Sequence, residues 1–217
     1  MPSKYAEVLS EIAAEAIEQF TVRNGSREQA LAISREVIRF SANAVRTVHR
    51  GQFEQAKEII ERAAVRLKET EVIRMENPEI YFAGFLADAR KEFSEANITL
   101  AVISGASMPR HTDLGIDPSS FLNGMAEVIG EVRRYILDAL RRDSFEGCQE
   151  MMDVMDEIYG ILVTVDFPEG VTGGLRHSTD QMRGVLERTR GDLTMALRQS
   201  KLEIQLAQWE ERRLSNP

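Results

Sequence analysis

The sequence holds one cysteine, three histidines and six prolines in 217 residues, and no apolar run approaches the roughly 18 residues a membrane span requires. A lone Cys148 excludes an intramolecular disulfide and a cysteine-based zinc site. His49, His111 and His177 are scattered without metal-ligand spacing, and no Glu-x-x-His pair supports a di-iron carboxylate bundle. There is no Gly-x-Ser-x-Gly elbow and no cysteine–histidine arrangement, so nucleophilic catalysis has no candidate. Thr172-Gly173-Gly174 lacks the Gly-Lys-Ser/Thr ending of a phosphate loop. A net charge of -8 argues against a wholly basic nucleic-acid binder but leaves room for a local basic patch. The polar start Met-Pro-Ser-Lys-Tyr-Ala-Glu is not that of a signal peptide, so the expected compartment is the cytoplasm, with no membrane partner.

What remains is helical periodicity almost from end to end, with 43% hydrophobic and 29% charged residues. No strand, repeat or low-complexity segment interrupts it. The pattern predicts an all-α fold, a seven-helix bundle of long helices spanning residues 1–217 as a single domain. A first helix is expected over 3–22, stopped by Gly25, with Ser26 capping a second over 27–50. A third covers 53–71 and a fourth about 77–103, opened by Asn77-Pro78. The fifth starts at Asp117-Pro118 and runs to about Arg142, the sixth opens at Asp143 or Ser144, and the last covers 175–213.

One face of the second helix is basic. Arg35, Arg39, Arg46 and Arg50 fall within about 60° of one another at ~100° per residue. They form either a track of guanidinium forks for phosphates or an ordinary solvated face.

The remaining chemistry is acidic. Glu92 and Glu95 share a face of the fourth helix, with Asp88 one turn earlier. Glu127 and Glu131 share a face of the fifth. Four carboxylates on two consecutive helices hold a divalent cation if those faces converge. The same spacing also describes the solvated edges of two amphipathic helices. Glu131 borders the apolar stripe of Phe121, Met125, Val128, Val132, Tyr135 and Ala139. Glu127 points away from it and is expected to face water unless assembly closes a cavity over that surface. A second stripe on this helix, Leu122, Ile129, Ile136 and Leu140, suggests more apolar surface than one core needs, hence an oligomer.

The order of these features resembles the translin/Trax family. The likeness is carried by Glu92-Phe93-Ser94-Glu95-Ala96, by Phe121-Leu122-Asn123-Gly124-Met125-Ala126-Glu127-Val128-Ile129-Gly130-Glu131-Val132, and by the short break at Arg142-Asp143. The second stretch matches the family's aromatic-Leu-x-Gly, then an acid, then Glu four later. The resemblance spans nearly the whole chain. It implies a Trax-type subunit: a Mg2+-dependent endoribonuclease, with Mn2+ as a substitute, whose metal ligands and catalytic groups are Glu92, Glu95, Glu127 and Glu131. Position 127 departs from the pattern, which has Asp there. The resemblance also implies RNA or single-stranded DNA held on Arg35, Arg39, Arg46 and Arg50, and a closed homo-oligomer, roughly octameric, with the acids lining its interior.

Two alternatives remain. A non-catalytic translin-like RNA or single-stranded DNA binder would carry the acids only for packing or charge balance. All-α nucleoside triphosphate pyrophosphatases also use Glu-x-x-Glu on one helix, but they favour Glu-x-x-Asp on the next, where this chain has Glu-x-x-x-Glu, and have no reason to carry an arginine stripe.

Overall fold

A computed structural model describes residues 3–215, all of whose regular elements are helices. Six are long: α1 (Ala6–Val48), α2 (Phe53–Lys68), α5 (Gly84–Ser104), α7 (Pro118–Leu140), α8 (Cys148–Leu162) and α10 (Leu175–Ser215). Four are short: α3 (Thr70–Glu76), α4 (Pro78–Tyr81), α6 (His111–Leu114) and α9 (Glu169–Thr172). The expected all-α class is what the chain adopts. No helix among the described residues is long and apolar enough to cross a membrane.

Helix bounds differ from the periodicity most clearly at three places, and the expected third helix also ends early, at Lys68, with α3 following from Thr70. The expected stop at Gly25 is absent, and α1 runs unbroken through it for 43 residues, about 65 Å. Gly25 is not among the glycines with positive φ, so it makes no left-handed cap. An interior glycine costs a helix only about 1 kcal/mol, which the good helix formers Glu28, Gln29, Ala30 and Leu31 beyond it offset. The expected fourth helix is divided, because the chain is extended at Ala83 (φ -65°, ψ 147°) between α4 and α5. The carbonyl of Tyr81 at that break accepts from the buried guanidinium of Arg90 at 3.2 Å. The sixth helix starts at Cys148 rather than at Asp143, after a left-handed Asp143 (φ 54°) and Gly147 (φ 73°).

α5 and α7 pack against each other at the centre. α1 and α2 cover the free side of α5, while α8 and α10 cover the free side of α7. Their buried residues join in one hydrophobic core that includes Ile33, Val37, Leu86, Phe93, Val128, Val132, Met155 and Met182. Arg90, 3% exposed, fastens the start of α7 to α5 through Asp117 at 2.9 Å. Asp117 also caps α7 by accepting from the Ser120 amide at 2.9 Å. Burial raises the Asp117 pKa, but the Ser120 amide and hydroxyl, with Arg90, outweigh that and hold it below the ordinary carboxylate range.

The second apolar stripe of α7 is not spare surface. Ile129 and Ile136 are 1% and 0% exposed within the single chain, because α7 is packed on several sides. The uncovered apolar residues lie elsewhere. Residues 6–25 of α1 are exposed apart from half-buried Ala16. They carry Val8, Leu9, Ile12, Ile17 and Phe20, each more than half exposed. The far half of α10 carries Met195, Leu202, Ile204, Leu206 and Trp209 in the same condition.

Candidate functional site

The close approach of α5 and α7 depends on Gly124. A Cβ at that position would stand 2.5 Å from the Lys91 carbonyl oxygen and 2.7 Å from the Ser94 Cβ, both on α5. Ser94 adds a cross-helix bond, its hydroxyl donating to the Phe121 carbonyl at 3.1 Å. Lys91, Glu92 and Glu95 on α5 thus sit across a glycine-wide seam from Glu127, one turn past Gly124 on α7.

One oxygen each from Glu92, Glu95 and Glu127 lie within 4.8 Å of one another. No second subunit is needed to bring Glu127 to the other two, contrary to the expectation that it faces water in an isolated chain. Its side chain remains 38% exposed, while Glu92 and Glu95 are half-buried. The fourth acid of the set does not join this group. The Glu131 carboxylate accepts from His49 Nε2 at 2.5 Å and lies 3.6 Å from Arg134 Nη1. Asp88 is exposed at the outer edge.

The electrostatics follow from this crowding. Burial, with repulsion from Glu127, Glu92 and Glu131, pushes the Glu95 pKa from the ordinary 4.5 up to about 8. Burial and Glu127 also raise Glu92. The His49 bond, against the opposing effect of burial and aided by Arg134, holds Glu131 below the ordinary range. Lys91 donates to Glu127 at 2.7 Å; burial works against its charge, but Glu127, Glu92 and Asp88 outweigh it and the ammonium pKa is raised. With a pKa of about 8, Glu95 keeps its proton at neutral pH, because burial first and the neighbouring carboxylates second disfavour its charge.

Four residues that shape this site escaped the sequence reading of roles. Lys91 gave no signal beyond its place beside Glu92. His49 was visible only as one of three scattered histidines, yet its side chain is 5% exposed and reaches α7. Gly124 was part of a motif, but its duty is a cross-helix contact that no periodicity reveals. Arg90 is a buried cation inside an apolar pattern.

The donor set is all oxygen, with no thiolate, and the one imidazole nearby is engaged with Glu131. Hard, oxygen-seeking cations such as Mg2+ fit it best, and they tolerate a ligand set completed by water. Replacing Gly124 by alanine is expected to cost about 1–3 kcal/mol through overpacking and to spread the carboxylates. Melting with and without Mg2+ checks this: the wild type is expected to gain stability from the ion and Gly124→Ala to gain less. An equal gain in both would show that the seam does not set the cluster.

All four arginines of the stripe are exposed, Arg35, Arg39 and Arg46 on α1 and Arg50 in the turn after it. Arg46 donates to Asn43 Oδ1 at 2.6 Å, and Arg39 stands 5.6 Å from the Phe40 ring centroid. Arg46 is one turn from His49 and Arg50 follows His49 in sequence, so the stripe ends beside the residue that holds Glu131.

No family model matches the chain. An uncharacterized protein of Methanocaldococcus jannaschii, MJ0175, is 28% identical over 186 residues, covering 85% of this chain and 82% of its own length. The structure of AfC3PO in complex with duplex RNA matches with a TM-score of 0.78 and 34% identity, over 85% of this chain and 95% of that one. The crystal structure of AfC3PO matches with a TM-score of 0.77 and 33% identity, over 85% and 96%. Apo-NeC3PO, at 16% identity over 85% and 96%, shares the fold with a TM-score of 0.76.

Proposed function

The chain belongs to the translin/Trax (C3PO) family, and from that premise we propose that it binds RNA and cleaves it as a Mg2+-dependent endoribonuclease. The observation that carries the catalytic part is the convergence of Glu92, Glu95 and Glu127, whose oxygens lie within 4.8 Å of one another. Glu92, Glu95 and Glu127 would hold the ion, with Glu131 beside them as an outer anion fixed by His49. The bound cation supplies Lewis acidity toward a phosphodiester and makes water a better nucleophile near neutral pH. Glu92, beside Lys91, would be the carboxylate to accept a proton from attacking water. The mutual repulsion of the carboxylates, relieved by the ion, gives the site its demand for a divalent cation.

RNA would lie along Arg35, Arg39, Arg46 and Arg50, whose exposure and spacing suit phosphates rather than bases. A relative of 34% identity has been seen with duplex RNA, which supports RNA as the ligand; single-stranded RNA is the substrate we propose, with single-stranded DNA as a second ligand of the same face. Residues 1–217 form one domain in this reading, and the cytoplasm is its compartment. The exposed apolar halves of α1 and α10 support a closed homo-oligomer, which we place at about eight copies. A light-scattering mass several times the 24.5 kDa monomer is expected at micromolar concentration, and a monomer mass would refute it.

The test of the activity is incubation of the purified protein with labelled single-stranded or duplex RNA, with Mg2+ or with EDTA, beside a nucleoside triphosphate control. Cleavage that survives EDTA, or turnover of the free triphosphate instead of RNA, would overturn the proposal. The arginine track has its own test. Arg39→Glu with Arg46→Glu is expected to weaken binding alike for all sequences and to lower the slope of log affinity against log salt by about 1 to 2, since each lost phosphate contact retains its counterions. An unchanged slope would leave those arginines as a solvated face.

A further inference from the structure

The carboxylate cluster already contains a cation of its own. Lys91 Nζ donates to Glu127 Oε1 at 2.7 Å, and its side chain is 26% exposed, between solvent and the seam. Glu92 and Asp88 on its own helix, and Glu127 across the seam, are the charges that surround it. The backbone of Lys91 is held in the seam, its carbonyl oxygen so near Gly124 that a Cβ there would stand 2.5 Å from it. The flexible four-carbon stem is the part free to move.

We propose that Lys91 is a built-in rival of the divalent ion for Glu127, so that the site loads fully only when a phosphate of the RNA draws the ammonium away. The inference rests on the metal site proposed above. A divalent ion and the lysine ammonium drawn to the same Glu127 carboxylate would be like charges a few ångströms apart, so each weakens the other's hold on it. Loading is therefore easier once Lys91 has left Glu127. In the free protein the alternatives for the ammonium are Glu92, Asp88 or water, and the first of these is itself needed by the ion. A phosphodiester oxygen arriving at the cluster is a new anionic partner for this partly exposed ammonium. RNA and metal thus favour each other's binding, and by linkage the coupling is the same in both directions. The consequence is a nuclease centre that stays underloaded until substrate is present. Lys91 then acts as a positioning residue for Glu127 in the free state and contacts substrate in the loaded one.

The experiment uses the full chain and Mn2+ as the probe, with free ion counted by electron paramagnetic resonance. Lys91→Met keeps the stem and removes the charge, Lys91→Gln is a second variant of the same kind, and Lys91→Arg keeps the charge. Without RNA, the Met and Gln variants are expected to bind Mn2+ about tenfold more tightly than the wild type, since a like charge near the ion is removed, while the Arg variant stays within about twofold. Adding a non-cleavable 2′-O-methyl oligonucleotide is expected to tighten Mn2+ binding in the wild type and to do so much less in Lys91→Met. Tighter metal together with slower single-turnover cleavage in Lys91→Met is a combination that simple loss of structure does not produce.

Wild-type binding that is lost in the Glu92→Gln, Glu95→Gln double variant but equal in Lys91→Met would overturn the rivalry and leave the metal site standing. A gain on adding the oligonucleotide as large in Lys91→Met as in the wild type would overturn the coupling. Wild-type Mn2+ binding that is absent, or unchanged in the double glutamine variant, would overturn the metal site and this inference with it.

Discussion

Replacing Glu92 and Glu95 together by glutamine is expected to lower RNA cleavage by about three orders of magnitude or more while leaving RNA binding intact or slightly tighter. Glutamine keeps the size and reach of glutamate and loses the charge that a divalent ion needs. The fold should tolerate the change because Glu95, with its pKa pushed up to about 8, already carries a proton at neutral pH in the metal-free protein. The amide therefore mimics the resting state of that position. Removing two negative charges near a polyanion also relieves repulsion, which is why binding should not fall. Single-turnover cleavage and filter binding on the same preparations, with circular dichroism as a folding control, make the comparison. The wild type should also gain melting temperature on adding Mg2+, and the double variant should not. A folded double variant that cuts at near the wild-type rate would remove these carboxylates from the catalytic site.

The sequence made the long helices legible because each buries an apolar stripe at the helical period, and that signal needs no tertiary information. It misplaced the boundary at Gly25 because a glycine is read locally as a stop, whereas the real test is whether the backbone adopts positive φ there. Gly105, Gly115 and Gly173 do so and end helices; Gly25 does not. The break at Ala83 carried no strong punctuation apart from Gly84. What fixes it includes the buried guanidinium of Arg90, whose partners Tyr81 and Asp117 lie 9 and 27 residues away.

The acids show the same division. Glu92 and Glu95 were visible as a pair because three residues of helix place them on one face. Glu127 was visible as a residue and misread as a direction. Its helix was treated as having one covered side, but α7 lies between α5, α8 and α10, so positions off its main stripe also face neighbours. The spare stripe at Ile129 and Ile136 was misread for the same reason. Glu131 was grouped with the other acids by its spacing, yet a histidine from the far end of α1 draws it to a different partner, across 82 residues of sequence. Periodicity reports how a helix meets one surface and is silent on how many surfaces it meets.

Metal affinity should depend steeply on pH, and the sign follows from Glu95. Below about 8 a cation entering the cluster must displace the Glu95 proton, so apparent affinity is expected to rise about tenfold per pH unit well below that value, roughly fiftyfold between pH 6 and pH 8, and to flatten above it. Stability of the metal-free protein runs the other way. The Glu95 carboxyl ionises near its ordinary 4.5 when unfolded and near 8 when folded, so its contribution is fully present below 4.5 and is lost as pH rises through about 8. Asp117 and Glu131, both lowered, contribute stability that is present at neutral pH and lost as pH falls through their depressed values. The metal-free protein should therefore be most stable in mild acid and the metal-bound protein near pH 8. Calorimetric titration of Mg2+ at pH 6.5 in two buffers of different ionisation enthalpy should count close to one proton released per ion, and Glu95→Gln should release none. A proton count near zero in the wild type, or an affinity flat from pH 6 to pH 8, would show that Glu95 is not a ligand.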